Sequence, residues 1–278
     1  MKRSNLIYIG SQGKKSCYDL IIPECFNGTI IYFIHGYKGY KDWGTWNIIA
    51  DYFANHGFGF AKCNLSHNGT TIENPTVFYD LEAFGRNTYS NDINDISLFI
   101  DAVETALDPK IKINKRVLIG HSRGGGCSIL SAEKSNNIDV LVTWASISNI
   151  ETRFPKGEQL KLWKTSGVYH IINGRTKQKM PHYYSFYEDF LNNKNILNIE
   201  KASKRIEIPW AIFHGTNDDA VKTTEAQMLN KWASNSDLFL IKDANHVFGG
   251  KEPFLSSNLP DHTLQLVKET KAFIELHH

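Results

Sequence analysis

Short apolar runs separated by amphipathic stretches make up most of this chain. Residues 29–34, 58–63 and 139–145 are nearly continuous apolar runs, which are typical of strands covered on both faces of a parallel sheet. Residues 46–55 and 91–107 carry apolar side chains at helical spacing between such runs. Because strands and helices alternate in this way, the pattern predicts the α/β class, with a mostly parallel central sheet and helices on both faces.

The remaining segments extend this pattern toward both ends of the chain. Residues 5–9 and 17–22 predict two antiparallel strands at a sheet edge, joined by a polar turn that contains glycine. The pattern after residue 206 predicts two further strands and two further helices, over residues 208–213, 238–241, 224–233 and 261–276 respectively. Residues 65–88 have weak periodicity and are predicted to form a long loop on the functional side of the sheet.

Residues 148–206 interrupt the alternation of strands and helices. The segment is rich in Lys, Arg, Tyr and Asn, contains short helix-like pieces, and is broken by Pro155 and Pro181. We interpret it as a cap inserted after one strand of a core domain that comprises residues 1–147 and 207–278.

The cap carries basic and aromatic residues whose roles stay open at this point. Its basic residues predict either a solvated surface or a surface that favours an acidic substrate group: Arg153, Lys156, Lys161, Lys164, Arg175, Lys177 and Lys179. Its aromatic residues predict either the lining of an acyl pocket or packing of the cap onto the core: Trp163, Tyr169, Tyr183, Tyr184, Phe186 and Tyr187.

The composition sets broad limits on function. The chain has 278 residues, of which 41% are hydrophobic and 22% charged, as in an ordinary globular protein with a sizeable core. A net charge of +2 does not favour nucleic acid or an anionic membrane as a partner. The four cysteines lack C-x-x-C spacing and no stretch is long enough to span a bilayer, so we expect free thiols and a cytoplasmic location. The sequence contains no recognisable metal or phosphate motif, and we expect no cofactor.

The stretch Gly120-His121-Ser122-Arg123-Gly124 carries the main chemical signal. An apolar run ends at Gly120, and residues compatible with a helix follow Gly124, so the motif lies at a predicted strand-to-helix turn. Lifting a serine hydroxyl clear of the sheet requires a strained backbone at Ser122. Residues two places before and after it must then be glycine, because larger side chains would collide. The following helix directs backbone N–H groups toward the hydroxyl, which predicts a nucleophilic serine.

Three other predicted strands end in loops that carry candidate functional side chains. These loops are His35-Gly36-Tyr37 after residues 29–34, Gly215-Thr216-Asn217-Asp218 after 208–213, and Asn245-His246 after 238–241. Loops at the carboxyl ends of parallel strands line the crevice in which ligands bind. Serine, aspartate and histidine therefore occur in that order along the chain, each just after a strand.

Over nearly its full length, the chain resembles the α/β-hydrolase superfamily. The residues that carry the resemblance are those of the four loops, together with Val221. Within the superfamily the chain looks most like esterase-type enzymes related to dienelactone hydrolases. The resemblance implies an α/β-hydrolase fold with an inserted cap and a serine hydrolase that acts on a small-molecule acyl substrate.

The chemistry assigns a role to each residue of this set. A serine hydroxyl needs a base to remove its proton, and His246 is the candidate base for Ser122. Asp218 would orient the imidazole and stabilise its charged form. The backbone N–H groups of Tyr37 and Arg123 would form the oxyanion hole.

Several residues near these motifs have competing or purely structural interpretations. Asp219 and Asp243 compete with Asp218, although the Gly-x-x-Asp-x-x-Val spacing favours Asp218. The side chain of Arg123 is predicted either to contact a substrate carboxylate or to form a salt bridge. The remaining residues are interpreted as structural (His35, His121 and His214), as core (Cys127) or as a solvated loop (Lys38 and Lys41).

The predicted reaction is acyl transfer to Ser122 and then to water, as in a carboxylic ester hydrolase. A serine peptidase and an acyl-CoA thioesterase use the same three side chains and remain alternatives. A catalytically silent binding protein and a non-hydrolytic activity, such as that of a haloperoxidase, are alternatives from other classes.

Overall fold

The computed structural model describes residues 1–277, and its centre is an eight-stranded sheet. In chain order the strands of this sheet are β1 (Lys2–Ile9), β2 (Lys15–Ile21), β3 (Thr29–Ile34), β4 (Gly59–Cys63), β5 (Lys115–His121), β6 (Val140–Trp144), β9 (Trp210–Gly215) and β10 (Ser236–Ile241). The spatial order is β1-β2-β4-β3-β5-β6-β9-β10. β1 and β2 are antiparallel to their neighbours, and the other strands are parallel, as predicted.

Helices cover both faces of the sheet. The helices are α1 (Trp46–Asn55), α2 (Leu81–Arg86), α3 (Tyr89–Ala106), α4 (Arg123–Ala132), α5 (Gly157–Ser166), α6 (Ser185–Asn192), α7 (Ile199–Ser203), α8 (Thr223–Trp232) and α9 (Asp261–Leu276). The buried side chains of α1 and α9 pack on one face, with Phe33 and Trp144 of the sheet. Those of α3, α4 and α8 pack on the other face. Every residue of β3 is buried, as expected for a central strand covered on both sides.

The register of the parallel strands brings the four predicted loops to one edge of the sheet. Ile34 at the end of β3 pairs with Gly120 near the end of β5. Gly215 at the end of β9 pairs with Ile241 at the end of β10. The loops that begin after these residues therefore share the carboxyl edge, where ligands bind in open α/β sheets.

The cap, residues 148–206, contains α5, α6, α7 and a hairpin formed by β7 (Val168–Ile172) and β8 (Lys179–Tyr183). The hairpin is antiparallel, with Tyr169 opposite His182. The sequence pattern predicted short helices here but not these strands. No side chain of β7 and only Met180 and His182 of β8 are buried, so the hydrophobic pattern of the hairpin is weak. The division into core and cap stays a prediction.

Two other expectations about the chain between β3 and α3 are wrong. Residues 65–88 are not a continuous loop, since α2 forms there and Asp80 caps it by accepting a hydrogen bond of 2.9 Å from the Ala83 N–H. Lys41 is not solvated: its ammonium group lies 2.9 Å from the Asp19 carboxylate and 2.5 Å from that of Asp42. A buried ammonium group requires such partners, and the Asp19 carboxylate is distant in sequence.

Within residues 1–277, no helix is long and apolar enough to cross a membrane.

Candidate active site

Ser122 lies in a sharp turn between β5 and α4. Its backbone angles are φ 57° and ψ −120°, a region that a residue with a side chain rarely occupies. A Cβ atom on Gly120 would lie 2.5 Å from the carbonyl oxygen of Gly124, and one on Gly124 would lie 2.4 Å from that of His35. Both glycines are therefore required by close backbone contacts, as the motif predicts.

His246 lies between Ser122 and Asp218. Its Nε2 is 2.9 Å from the Ser122 Oγ, and its Nδ1 is 2.8 Å from the Asp218 Oδ2. An ionised carboxylate can only accept a hydrogen bond. His246 Nδ1 therefore carries a proton and donates a hydrogen bond to Asp218. The lone pair of Nε2 then faces the serine hydroxyl, which is the protonation state that a general base requires.

Asp218 is held in place by its own loop. Its Oδ1 accepts hydrogen bonds of 2.9 Å from the backbone N–H groups of Ala220 and Val221, and His214 Nε2 lies 3.2 Å from Oδ2. Burial by itself would raise the pKa of Asp218, but the hydrogen bonds from His214, His246 and Val221 outweigh it and hold the pKa well below its usual range. The neighbouring Asp219 has a side chain that is 96% exposed. The structure thus brings Asp218, and not Asp219, to the imidazole.

His121 contacts His246 through a hydrogen bond and through its ring. Its Nε2 donates a hydrogen bond of 2.9 Å to the backbone oxygen of His246, and the two rings are 4.9 Å apart. Burial, followed by the nearby charge of His246, lowers the pKa of His121 to about 3. His121 is therefore neutral near pH 7. It fixes the position of His246 and places no positive charge beside it.

The loop after β3 passes directly against Ser122. A Cβ atom on Gly36 would lie 2.9 Å from the Cβ of Ser122, so glycine is needed for this approach. The carbonyl oxygen of Gly36 accepts hydrogen bonds from His35 Nδ1 at 2.8 Å and from the Gly39 N–H at 3.1 Å. In a trans peptide, the N–H of Tyr37 then points to the opposite side.

The two predicted oxyanion donors are free to bind a ligand. Among residues 1–277, neither the Tyr37 N–H nor the Arg123 N–H has a hydrogen-bond acceptor. Arg123 is the first residue of α4, so the positive end of the helix dipole lies at this point. Unpaired N–H groups at a helix start and in a fixed loop can stabilise a developing oxyanion.

Two clefts open from Ser122 and His246. The larger cleft has a volume of about 590 Å³, and its aromatic lining includes Tyr37, Tyr89, Phe154, Trp163, Tyr169 and Phe186. The smaller cleft has a volume of about 310 Å³ and is lined in part by Trp43, Trp46 and Arg175. Both volumes lie in the range of small-molecule sites. Of the six cap aromatics identified in the sequence, Trp163, Tyr169 and Phe186 line the larger cleft, while Tyr184 and Tyr187 pack against the apolar core.

The side chain of Arg123 lies beneath the larger cleft. Its Nη2 is 2.7 Å from Asp92 Oδ2, and its guanidinium carbon is 4.2 Å from the ring centre of Tyr89 and 4.9 Å from that of Phe186. Of the two predicted roles of this side chain, the structure shows the salt bridge, and its partner is Asp92. Asp92 was not singled out from the sequence, because an aspartate in a helix gives no indication of a partner 31 residues away.

Within residues 1–277, no group of three or more His, Cys, Asp or Glu side chains is arranged to hold a metal ion.

Neither a protein-family model nor a curated protein sequence matches this chain. Its structure, however, is similar to known structures over nearly its whole length. One is Est1E from Butyrivibrio proteoclasticus with bound ferulic acid, at 15% identity and a TM-score of 0.71, with 98% of this chain and 99% of that chain covered. Another is alpha/beta hydrolase domain-containing protein 10 from mouse, at 17% identity and a TM-score of 0.70, with 99% of this chain and 100% of that chain covered.

A third similar structure is a monoacylglycerol lipase from Paleococcus ferrophilus, at 14% identity and a TM-score of 0.69, with 95% of this chain and 99% of that chain covered. Likeness at such low identity concerns the fold, and it extends over nearly the full length of all three structures. The resemblance drawn from the four loops is confirmed at this level: the chain has the α/β-hydrolase fold.

Proposed function

We propose that this protein is a serine hydrolase that cleaves carboxylic esters through an acyl-enzyme on Ser122. The observation that carries the proposal is the continuous chain of contacts from Ser122 Oγ to His246 Nε2 at 2.9 Å and from His246 Nδ1 to Asp218 Oδ2 at 2.8 Å. The similarity to structures of an esterase and of a lipase supports an ester as the substrate.

In the proposed mechanism, His246 removes the proton of Ser122 as its oxygen attacks the ester carbonyl carbon. Asp218 stabilises the imidazolium that forms. The carbonyl oxygen becomes negative and accepts hydrogen bonds from the N–H groups of Tyr37 and Arg123. The carbon–oxygen bond to the leaving group then breaks, and His246 protonates the departing alkoxide. Water, activated by the same imidazole, hydrolyses the acyl-enzyme and regenerates Ser122.

The aromatic lining of the larger cleft supports an acyl or alcohol group of medium size, with flat apolar surfaces. The ferulic acid bound to Est1E is a molecule of this type. We also propose a reducing, cytoplasmic location, which is supported by four free thiols: Cys17, Cys25, Cys63 and Cys127.

The test uses the purified protein with p-nitrophenyl acetate and with a fluorophosphonate probe. We expect hydrolysis and covalent labelling by the unchanged protein, and loss of both in Ser122→Ala. Ser135→Ala, which changes a half-buried serine just after α4, is the control and is expected to retain both activities.

Full ester hydrolysis by Ser122→Ala would refute the proposal. A protein that takes up no probe and hydrolyses no ester would instead be a silent binding protein. A panel that adds thioesters and peptides separates an esterase from the thioesterase and peptidase alternatives, because the same side chains serve all three.

A further inference from the structure

The cap touches the proposed oxyanion loop through one polar contact. The hydroxyl group of Tyr37 lies 2.5 Å from Nε2 of His182, which belongs to β8 and is 145 residues away along the chain. The backbone N–H of the same tyrosine is the proposed oxyanion donor. A side-chain contact from the cap therefore reaches the residue whose main chain would stabilise the transition state.

The surroundings of the two side chains keep both of them uncharged. Burial, followed by the positive charges of Arg123 and Lys38, lowers the pKa of His182 to about 3, so the imidazole is neutral near pH 7. Burial also raises the pKa of Tyr37, so the phenol keeps its proton. The hydrogen bond therefore joins two neutral groups, and either the phenol O–H or an Nε2–H can be its donor, since a neutral imidazole carries its proton on one of its two nitrogens.

The imidazole of His182 is fixed on several sides. Its ring lies 5.1 Å from that of Phe84 and 5.2 Å from that of Phe186, and its backbone oxygen accepts a hydrogen bond of 2.8 Å from Trp163 Nε1. Among the described residues, its Nδ1 is buried and has no hydrogen-bond partner. A buried polar atom without a partner is uncommon, and it means that no hydrogen bond at Nδ1 fixes the orientation of this ring. The contact with Tyr37 is the polar interaction that this ring makes.

Hydrogen bonds that do not involve the Tyr37 side chain also hold this loop. The Leu65 N–H donates to His35 Nε2 at 3.2 Å, His35 Nδ1 bonds to the carbonyl oxygen of Gly36 at 2.8 Å, and Asn68 Nδ2 donates a hydrogen bond of 3.2 Å to the carbonyl oxygen of Gly39. Lys38, between them, has a positive φ of 55°, so the loop is strained at its tip. The contact with His182 adds an attachment from the cap, made through the Tyr37 hydroxyl.

We propose that His182 is a positioning residue for the oxyanion hole, acting through the Tyr37 hydroxyl to hold the Tyr37 backbone N–H in place. The proposal rests on the proposed serine hydrolase function. It makes the cap part of the catalytic geometry in addition to its part in forming the larger cleft.

The test compares Tyr37→Phe and His182→Phe, which keep an aromatic ring and remove one partner of the hydrogen bond each. The substrate is p-nitrophenyl acetate, because its acetyl group makes few contacts with the larger cleft. Loss of an oxyanion donor lowers kcat by about 10²–10³-fold, so a displaced donor is expected to lower kcat by about 10–100-fold with KM little changed. The double variant is expected to lose no more than the stronger single variant, because both remove the same interaction.

Tyr183→Phe is the matched control. Tyr183 lies next to His182 on β8, and its hydroxyl also bonds to the core, at Glu82 of α2, but it does not touch the oxyanion loop. We expect its kcat to be unchanged. His182→Gln, which restores a hydrogen-bonding partner for the Tyr37 hydroxyl, is expected to recover much of the kcat lost in His182→Phe. The rate of fluorophosphonate labelling should fall in parallel with kcat.

Unchanged kcat in both single variants, a loss confined to KM, or an additive double variant would each overturn the proposal. If Ser122→Ala abolishes hydrolysis while Tyr37→Phe keeps its full kcat, the positioning role fails and the hydrolase function stands. If Ser122→Ala retains hydrolysis, the function itself fails. Thermal unfolding verifies that each variant is folded. If His182→Phe is not folded, Tyr37→Phe alone decides whether the hydrogen bond positions the oxyanion hole, since this substitution removes a single oxygen atom.

Discussion

Arg123 Nε donates a hydrogen bond of 2.8 Å to Asp92 Oδ2, and both side chains are almost fully buried, with 9% and 1% of their surface exposed. This ion pair joins the residue that follows Ser122 to the first turn of α3. Burial by itself would lower the pKa of Arg123, but the charge of Asp92 outweighs it and raises the pKa above its usual value, so the guanidinium stays charged.

Asp92→Asn should therefore destabilise the fold strongly. The variant leaves the Arg123 charge buried without a counter-charge, which typically costs about 3–5 kcal/mol of unfolding free energy. Urea unfolding followed by circular dichroism measures the change. Asp101→Asn, at an exposed position of the same helix, should change the unfolding free energy by less than about 0.5 kcal/mol. Equal midpoints for the two variants would show that the pair contributes nothing to stability.

Asp218→Asn should lower kcat for p-nitrophenyl acetate by about 10³–10⁴-fold. An amide in place of the carboxylate no longer selects the His246 tautomer with its proton on Nδ1, nor does it stabilise the imidazolium. Asp219→Asn is the control, because its side chain is 96% exposed, and it should stay within about twofold of the unchanged protein. A comparable loss of kcat in both variants would argue against the role assigned to Asp218.

Gly124→Ala and Gly126→Ala should differ in their effects on stability and activity, although both glycines lie in α4. A Cβ on Gly124 would meet backbone oxygens of His35 at 2.4 Å and of Ile34 at 2.7 Å, and these cannot move without shifting β3. A Cβ on Gly126 would meet side-chain atoms of Ile147 at 2.7 Å and of Ile199 at 3.0 Å, and these can shift without moving a strand of the sheet.

We expect Gly126→Ala to cost at most about 1–3 kcal/mol of unfolding free energy, the usual range for overpacking, and Gly124→Ala to cost more and to abolish hydrolysis. Yield of folded protein, urea midpoints and kcat measure the difference. The interpretation of the turn would be wrong if Gly124→Ala were as active and stable as Gly126→Ala.

The acid stability of the protein should depend on Asp19. Burial alone would raise the pKa of this carboxyl, but Lys62 and Lys41 outweigh it and lower the pKa to about 2, against an ordinary value of 3.8. Below pH 4 the unfolded chain binds the proton more readily than the folded protein, so stability is present above pH 4 and is lost as the pH falls toward 2. The contribution of Asp19 is about 2 kcal/mol.

Urea unfolding between pH 5 and pH 2 tests this expectation. Asp19→Asn should be less stable near pH 7 and should lose less stability on acidification than the unchanged protein. Asp51→Asn removes a carboxylate from an exposed ion pair with Lys2 and should keep the original acid dependence. An unchanged pH slope in Asp19→Asn would contradict the assignment.

The local elements follow closely from the sequence. The predicted helices at 46–55 and 261–276 coincide with α1 and α9, because both are long enough for their apolar period to be unambiguous. The sequence pattern did not predict the hairpin of β7 and β8. Both strands are short and largely half-exposed, and β8 contains Pro181. The short helix α2 was missed for the same reason of length, although Asp80 at its start is a recognisable cap.

The sequence by itself determined the strained turn at Ser122 and the order in which the candidate side chains occur, since both depend on neighbouring residues and on which strand each loop follows. Tertiary structure decided that Lys41 is buried beside Asp19 and that His182 reaches Tyr37. These contacts join groups far apart in the chain. Their partners depend on how whole elements pack, and side chains of the same type compete for them, so no local pattern specifies the outcome.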